Sequence, residues 1–511
     1  MLGSIDSKSV HDLLSKRFVL PLLVFTIPLL LRAIPEVLMW PYVVGFDTMG
    51  HYVPTALLWL SGGVDLWRYL ATAPLFYTIV VSMVSLGGPL FIVLKVLPPL
   101  FHGFLGLSIY AYAKSGLSWS SKKSAVTALL ATGYFVAMRV SWDLLRNELA
   151  LILFFAVLTL FDVGRPDTRS WKRYVLLSLA MTGVALAHQL VSVIMFGVVA
   201  FTIMHKMLQK ERAKAVRLIA ISLPAVLLFF AIVYFSPAVP EYRLIFGFSN
   251  SDGWLSLFGF SSYQGMLTSA AGFFLYCYVP MLPLVIVGFR RFGNFQVRSW
   301  VLLSLVALLI PMASPSNLRW VMMLTYPFAF CVSETLSRVK SVSWKRFGLT
   351  LHQVVVGYLV FTMAFLSLGF MLMPPENCFP YFNTRICNGY IYQMPSSMLQ
   401  NTVSIADCQD AANALQWLKN SMHSDALLLA HRAFYGWALS TLNGDQVVLY
   451  EYENPGGTAK MVAQEGRGQI YLIWWISGQG WYGQSTVPSS FEEVYESGRI
   501  AVYSYTPTNV T

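Results

Sequence analysis

Two ionisable side chains lie one helical turn apart in a stretch otherwise rich in aromatic residues and glycine. In the segment WPYVVGFDTMGHY, Asp47 precedes His51 by four residues, a spacing that puts both on one face of a helix. A carboxylate at the edge of an apolar environment can take a proton from a hydroxyl group within hydrogen-bond reach. We therefore expect Asp47 to be the catalytic base and His51 to contact substrate. The structural alternative for Asp47 is a helix N-cap.

A second group of charged and polar residues is spread over three other segments. Asp143 and Arg146 occur in RVSWDLLRNE, His188 in GVALAHQL and Arg319 in SPSNLRW. An arginine binds phosphate through paired hydrogen bonds. Arg319 and Arg146 are therefore predicted to neutralise a departing phosphate, with Asp143 and His188 also contacting substrate. A divalent cation, Mg²⁺ or Mn²⁺, held by Asp47 and Asp143, is another way to neutralise that phosphate.

Together these groups suit the displacement of a phosphate from a sugar by an acceptor hydroxyl. Phosphate leaves readily without a general acid, whereas the hydroxyl needs a base, and direct displacement inverts the anomeric centre. A structural role is the alternative for each of the other groups. Asp143 can pair with Arg146, Arg319 can flank a span, His188 can bond between helices, and Glu148 can be an interfacial charge.

The composition indicates that membrane-spanning helices position these residues. Of the 511 residues, 56% are hydrophobic and only 12% are charged, about half the charged fraction of a soluble protein. A bilayer span needs about 20 mostly apolar residues. Apolar runs of roughly this kind predict about eleven transmembrane helices, near residues 18–39, 91–113, 124–141, 149–163, 174–189, 190–205, 218–236, 270–288, 299–313, 320–337 and 347–373.

The placement of basic residues predicts the orientation of the chain. Most of the 35 Lys and Arg residues fall in alternate loops and the N-terminal tail, which is the positive-inside pattern. The N-terminus is therefore expected inside and the C-terminus outside, with a long first external loop over residues 36–90. The short apolar run 73–86 is expected to be re-entrant or interfacial. Because the basic residues are dispersed, the net charge of +11 does not indicate nucleic-acid binding.

Residues 374–511 differ from the apolar domain at 1–373. This tail carries more acidic than basic residues, and its alternating patterns predict a small extracytoplasmic α/β domain. Its His431 and Arg432 either face the active site or have no role there. A bridge between Cys378 and Cys387 is compatible with an external location. Cys408 would then be left without a partner among the three cysteines of the tail, so the disulfide pairing stays open.

Several short segments resemble the GT-C superfamily of integral-membrane glycosyltransferases, which includes oligosaccharyltransferases, protein O-mannosyltransferases and aminoarabinose transferases. GFDTMGHY is similar to the acidic site in that family's first external loop, and APLFYTIVVSM to the segment after it. LKVLPPLFHGFLGLSIYAYAKS resembles the second span, and SWDLLRNELALILFFAVLTL the second acidic loop with its following helix. The resemblance covers residues 1–373. It implies a polyprenyl-phosphate-linked sugar donor and an active site outside the cell membrane.

Departures from the oligosaccharyltransferase pattern narrow the expected reaction. Asp143 stands alone where those enzymes carry an acidic pair, and Ile476 follows Trp474 and Trp475 where they carry an acid. A monosaccharide transferase using a polyprenyl monophosphate donor fits better. The motifs of the tail resemble those of an archaeal branch of the superfamily. The acceptor is a hydroxyl of a glycan, protein or lipid. The Trp pair either stacks sugar or belongs to a strand core.

Other classes of protein remain open from the sequence. A polytopic transporter would place charges near the membrane midplane and show repeat symmetry, and a non-catalytic membrane scaffold would not need external acids. Nearer alternatives are an oligosaccharyltransferase-like enzyme and a polysaccharide polymerase or ligase. The polymerases and ligases carry their large external loop late in the chain, whereas here it comes first.

Overall fold

In a computed structural model of the protein, the described residues are 7–62, 66–161, 171–235, 262–309, 317–339, 343–344, 349–377, 379–382, 394–450, 455–465, 468–477 and 487–506. The helices of the apolar part are α1 (Ser7–Leu38), α2 (Val53–Leu60), α3 (Leu66–Ala71), α4 (Leu75–Ser85), α5 (Leu90–Ala111), α6 (Ser121–Gly133), α7 (Phe135–Asp143), α8 (Leu145–Leu160), α9 (Trp171–Ala187), α10 (Gln189–Leu208), α11 (Arg212–Phe235), α12 (Tyr263–Tyr278), α13 (Leu282–Arg291), α14 (Phe295–Ala307), α15 (Asn317–Met323), α16 (Thr325–Leu336) and α17 (Leu351–Leu372). Two π-helical turns cover Thr48–Tyr52 and Tyr112–Gly116, and a two-stranded ribbon pairs β1 (Ser343–Trp344) with β2 (Leu349–Thr350).

The long apolar helices agree with a multi-pass membrane protein. By length and composition, five helices of the described chain can cross a membrane, and up to seven if each of two bent pairs is one span. Each of the eleven predicted apolar runs contains a described helix. Several of these helices are shorter than a span requires, so the count of eleven and the orientation stay predictions. The five long segments are Phe18–Leu38, Leu90–Gly116, Gln189–Leu208, Arg212–Val233 and Leu351–Leu372.

Two runs that the sequence suggests are continuous spans are bent in the structure. Helices α6 and α7 meet at 61°, because Tyr134 between them adopts an extended conformation. Helices α12 and α13 meet at 93° around Pro280, a residue that cannot donate the backbone hydrogen bond of a continuing helix. The first bend matters for the site, because α7 ends at Asp143.

Helices α1 and α5 pack with their backbones in close contact. A Cβ atom on Gly106 would lie 2.3 Å from the carbonyl oxygen of Val24, and one on Gly103 would lie 2.9 Å from that of Phe25. Small residues at such contacts are typical of helix pairs in membranes. The pair forms one wall beside the loops that carry the acidic residues.

The first long loop contains short helices. Helix α4 has 11 residues and is too short to cross a hydrocarbon core of about 30 Å, in keeping with the predicted re-entrant or interfacial segment. Its Phe76 and Tyr77 are buried, and both rings contact Tyr52 of the first π-helical turn. Helix α4 therefore supports the segment that carries Asp47 and His51.

The tail folds around a mixed five-stranded sheet. Its strands are β3 (Leu427–His431), β4 (Val447–Tyr450), β5 (Ile470–Trp475), β6 (Phe491–Ser497) and β7 (Ile500–Tyr505), in the order β4-β3-β5-β7-β6. Strand β3 runs parallel to β4 and β5, whereas β7 is antiparallel to β5 and β6. The accompanying helices are α18 (Ile405–Ser421), α19 (Arg432–Thr441) and α20 (Pro455–Gln464). The predicted α/β character of the tail is thus present, while the domain boundary at residue 373 stays a prediction.

The two tryptophans of the tail belong to the interior. Trp474 and Trp475 are 1% and 5% exposed in the buried strand β5, and the indole of Trp475 donates to Asp407 at 3.0 Å. The strand-core alternative therefore describes them, and they do not form an exposed sugar platform. Cys408 is a buried free thiol, whereas Cys378 and Cys387 lie outside the described residues.

Candidate active site

Asp47 and His51 lie side by side on the first π-helical turn. Asp47 comes directly before that turn, and its Oδ1 lies 3.7 Å from Nε2 of His51. The Asp47 side chain makes no N-cap hydrogen bond to the turn. Its side chain is 21% exposed and that of His51 is 42% exposed. The carboxylate is therefore open to a ligand instead of being occupied as a helix cap.

The loop that carries Asp143 contacts the Asp47 segment directly. The hydroxyl of Tyr52 donates to the carbonyl oxygen of Asp143 at 2.8 Å. A Cβ atom on Gly45 would lie 2.2 Å from the carbonyl oxygen of Trp142 and 3.2 Å from Cβ of Asp143. Gly45 also has a φ of +101°, a conformation that L side chains rarely adopt. This contact of the two loops thus requires glycine at position 45.

A buried segment of the tail is hydrogen-bonded to both loops. The carbonyl oxygen of Gln400 accepts hydrogen bonds from the backbone N–H of Gly45 at 3.1 Å and from the indole of Trp142 at 3.2 Å. Next to it, the side-chain amide of Asn401 donates to the carbonyl of Val43 at 3.0 Å. The whole stretch 397–403 is buried. We call residues 397–403 the clasp, since they join the two acidic loops.

Three arginine charges act on His51, and one of these arginines contacts it. The charges of Arg146, Arg319 and Arg432 all act on its imidazole, and Arg432 Nη2 donates to Nε2. Arg319 also acts electrostatically on Asp143 and His188. The structure therefore brings together the residues that the sequence singles out from four separate segments: Asp47, His51, Asp143, Arg146, His188 and Arg319.

The arginines differ in how firmly they are held. Arg146 lies over the ring of Tyr77, and its Nη2 donates to the side chain of Gln189 at 3.4 Å, while its Nε has no hydrogen-bond partner within the described chain. Arg139 pairs with Asp143 one turn before the helix break. The Asp143–Arg146 ion pair offered by the sequence is therefore replaced by Asp143–Arg139. Among the described residues, the Nε–H of Arg146 therefore remains available to a ligand.

The surroundings of His51 lower the pKa of its imidazole. Burial lowers its pKa most, the charge of Asp47 raises it, and the charges of Arg432, Arg319 and Arg146 lower it further. A neutral imidazole can accept a hydrogen bond from Arg432 through Nε2. The His51 side chain nevertheless keeps 42% of its surface open to water, so a ligand can reach it. His51 thus faces the ligand space together with Asp47.

Behind the site, buried polar groups brace the helix that follows the Asp143 break. Glu148 accepts from His102 at 2.5 Å and from Ser141 at 3.0 Å, and His102 also bonds the carbonyl of Thr132 at 2.9 Å. Glu148 and His102 are fully buried. Glu148 is therefore an internal hydrogen-bond acceptor, and the interfacial charge that the sequence offered as an alternative does not describe it.

A second buried group connects α1 to the same loop. Arg32 pairs with Glu36 at 2.9 Å and donates to the carbonyl of Ser141 at 3.0 Å. Lys95 reaches Glu36 at 3.3 Å and the carbonyl of Tyr42 at 2.5 Å. These contacts connect α1 and α5 to both acidic loops. A buried charge that is paired and hydrogen-bonded holds its neighbours in place, because breaking the pair is costly.

His188 has a structural role in this arrangement. It is the N-cap of α10, where its Nδ1 accepts from the backbone of Leu190 at 3.1 Å. It lies within the field of Arg146 and Arg319, so it borders the site. The next residue, Gln189, contacts Arg146 directly. Sequence patterns gave no reason to single out Gln189, Tyr52 or the clasp, because none of them carries a charge.

The residues fit a divalent cation poorly. Arg139 already donates to Asp143, and within the described parts of the chain three arginine charges act on His51 against the carboxylate of Asp47. Among the described residues there is no group of three or more His, Cys, Asp and Glu side chains able to hold a metal. Such surroundings favour an anion over a cation. The metal site at Asp47 and Asp143 therefore stays a prediction, and no chemical step below depends on it.

Comparison with solved structures identifies the fold. ArnT from Cupriavidus metallidurans bound to undecaprenyl phosphate superposes with a TM-score of 0.52 at 12% identity, over 98% of this chain and 99% of that one. The Archaeoglobus fulgidus oligosaccharyltransferase in complex with Zn and sulfate gives a TM-score of 0.52 at 11% identity, over 89% of this chain and 68% of that one. No protein-family model and no curated protein matches the chain.

These likenesses confirm the class of fold that the short motifs predicted. The chain has the fold of the GT-C glycosyltransferases. Sequence identities of 11% and 12% show only that the fold is shared. The reaction therefore has to be argued from the residues of the site.

Proposed function

We propose that the protein is a membrane glycosyltransferase that moves a sugar from a polyprenyl-phosphate-linked donor to an acceptor hydroxyl. The observation that carries the proposal is the open carboxylate of Asp47 beside an imidazole on which three arginine charges act. A base next to a cationic pocket is what transfer from a phosphate-linked sugar requires. The shared fold with ArnT, whose structure holds undecaprenyl phosphate, supports the same donor class.

The proposed step is a single displacement. Asp47 takes the proton of the acceptor hydroxyl as the acceptor oxygen bonds to the anomeric carbon. The bond from that carbon to the phosphate oxygen breaks, and its electron pair stays on the phosphate. Arg319 and Arg146 bind that phosphate through charge-assisted hydrogen bonds. Attack opposite the leaving group inverts the anomeric centre.

Asp143 positions the site in this account. Its carboxylate pairs with Arg139 and its carbonyl binds Tyr52, so it holds the Asp47 turn against the second loop. Substrate contact by Asp143 or His188, and metal binding by Asp143, stay predictions. The chain would act on the outer face of the cell membrane, with the tail on the same side. The acceptor is a hydroxyl of a glycan, protein or lipid.

The direct test is transfer by the purified full chain in detergent micelles. We would offer radiolabelled sugars on undecaprenyl phosphate and on dolichyl phosphate, with membrane lipid extract and simple glycosides as acceptors. Formation of a labelled product whose anomeric configuration is opposite to that of the donor supports the proposal. Retention of configuration contradicts the single displacement. Ion-coupled uptake of a solute into vesicles, without transfer, would instead indicate a transporter.

A further inference from the structure

The tail places an arginine inside the membrane-domain site. Arg432 is the first residue of α19, and its Nη2 contacts Nε2 of His51 across the interface between tail and loop. The N-terminus of a helix carries a partial positive charge, which makes it an unfavourable place for a cation. An anion bound between the helix end and the guanidinium would remove that conflict.

The position of Arg432 is fixed by close packing of α19. A Cβ atom on Gly436 would lie only 1.9 Å from the carbonyl oxygen of Met49, so helix and π-helical turn touch backbone to backbone. The next residue is Trp437, whose indole donates to Thr402 of the clasp at 3.2 Å and packs against Tyr42 at 5.4 Å between ring centroids. The helix therefore has a specific docking site on the first loop.

The hydrogen-bond partner of Arg432 is weak compared with the anions that a guanidinium usually binds. Within the described parts of the chain, its one hydrogen-bond acceptor is Nε2 of the His51 imidazole, which carries no proton on that nitrogen when it accepts. A guanidinium presents five donors in a fork that matches a phosphate. Hydrogen bonds between two charged groups are stronger than those to a neutral acceptor. A phosphate in the site would therefore replace His51 as the partner of Arg432.

The charges around His51 match a phosphate monoester. Arg139 neutralises Asp143. Among the residues that the structure describes, the charges of Arg146, Arg319 and Arg432 then stand against that of Asp47, an excess of two positive charges. A phosphate monoester carries about two negative charges at pH 7, whereas the phosphodiester of a lipid-linked sugar carries one. Binding would thus strengthen as the sugar–phosphate bond breaks, which is how a cation accelerates a reaction.

From these contacts we infer that Arg432 is the third cation of a phosphate site, and that the tail thereby completes the site for a monophosphate carrier. The inference rests on the proposed function, which supplies the lipid phosphate as the ligand. It assigns the tail a direct part in binding the donor and the departing polyprenyl phosphate.

The test is equilibrium binding of radiolabelled undecaprenyl phosphate to the full chain in detergent micelles. We would compare wild type with Arg432→Ala, the uncharged polar Arg432→Gln and Arg432→Lys. Loss of a charge-assisted hydrogen bond predicts affinity about 10- to 100-fold weaker for Ala and Gln. Lys keeps the charge without the fork, so it should fall between them and wild type. Lys460→Ala, which removes an exposed cation of α20, should bind as wild type does.

The outcomes separate this inference from the proposed reaction. Wild-type affinity in both Ala and Gln variants would overturn the role of Arg432, even if transfer occurs. Binding that depends on Arg432 without transfer from any donor would support the phosphate site and count against the proposed reaction. Inorganic phosphate that displaces the lipid from wild type identifies free phosphate as a second ligand of the same site. If it displaces none, the lipid-borne phosphate alone is the ligand.

Discussion

The indole Nε1–H of Trp142 donates to the carbonyl oxygen of Gln400 at 3.2 Å, although 258 residues separate the two in the chain. The same oxygen accepts the backbone N–H of Gly45. Trp142 directly precedes Asp143, and Gly45 comes two residues before Asp47. One oxygen atom of the tail therefore connects the segments that carry both acidic residues.

Replacing Trp142 by Phe tests whether this connection positions the base. Phe keeps an aromatic ring but removes the donor, which leaves the carbonyls of Met398 and Gln400 with one hydrogen bond fewer each. The lost hydrogen bonds are worth about 1–2 kcal/mol. If that energy holds the base in place, kcat of transfer should fall about tenfold while KM for the donor changes little. Trp171→Phe, at an exposed position, is the control. Unchanged kcat in Trp142→Phe would show that the clasp does not position the site.

Glu148 supports the second loop through buried contacts, so its loss should reduce stability. Glu148→Ala leaves His102 and Ser141 without their acceptor in a fully buried place. We expect the free energy of unfolding to fall by about 3–5 kcal/mol. Glu148→Gln keeps a hydrogen-bonding carbonyl and should cost clearly less. Thermal unfolding in detergent micelles measures both, with Glu211→Ala at a solvent-accessible ion pair as the control. Equal melting temperatures for Ala and wild type would contradict the account.

His431 is the N-cap of α19, where its Nδ1 accepts from the backbone N–H of Ala433 at 3.2 Å. Because a protonated Nδ1 cannot accept, this cap makes the docked tail sensitive to acid. Burial, and secondly the charge of Arg432, lower the pKa of His431 to about 4, whereas an unfolded histidine titrates near 6.5. Below pH 6.5 the unfolded chain therefore binds the proton first. Stability is full above that pH and is lost as pH falls towards 4, by up to about 3 kcal/mol.

The variant His431→Asn isolates this effect, because Asn is a good N-cap that does not titrate. Between pH 7 and pH 4.5 the unfolding temperature of wild type should fall more steeply than that of His431→Asn. His423→Asn, at an exposed position, should keep the wild-type slope. Parallel curves for wild type and His431→Asn would show that His431 contributes nothing to the pH dependence.

The arginine-rich surroundings of Asp47 also predict how the protein responds to metal removal. Because the proposed displacement uses the charges of Arg146 and Arg319 on the phosphate, EDTA treatment should leave the transfer rate within about twofold of the untreated enzyme. Loss of activity with EDTA and recovery with Mg²⁺ or Mn²⁺ would instead assign a metal to Asp47 and Asp143, as the sequence alone suggested.

Hydropathy and charge placement were enough to locate most of the helices, but not their breaks. The sequence predicts one span over residues 124–141, whereas the structure has two helices bent by 61°. An apolar run shows that a segment avoids water, but it does not reveal an extended residue such as Tyr134 in its middle. In the tail, helix α20 and strand β6 were not predicted. Strand β6 is mostly exposed on an edge of the sheet, so it lacks an alternating apolar pattern.

The candidate site was predictable where it depends on charge. Asp47, Asp143, Arg146 and Arg319 stand out because ionisable groups near a membrane are expensive. The clasp carries no charge and acts mainly through backbone carbonyls, which every residue possesses. Only the three-dimensional contact with Gly45 and Trp142 reveals it. For Arg432 the sequence left two alternatives open, and the contact with His51 decides between them.

Asp47→Asn is the most direct measurement of the central claim, because Asn has nearly the same shape and cannot take a proton. With labelled polyprenyl-phosphate sugar and a fixed acceptor, we predict that kcat falls by about 10²- to 10⁴-fold, with donor binding and melting temperature close to wild type. Asp445→Asn, at an exposed position in the tail, should transfer as wild type does. Asp47→Asn that transfers sugar at the wild-type rate would contradict the assignment of Asp47 as the base.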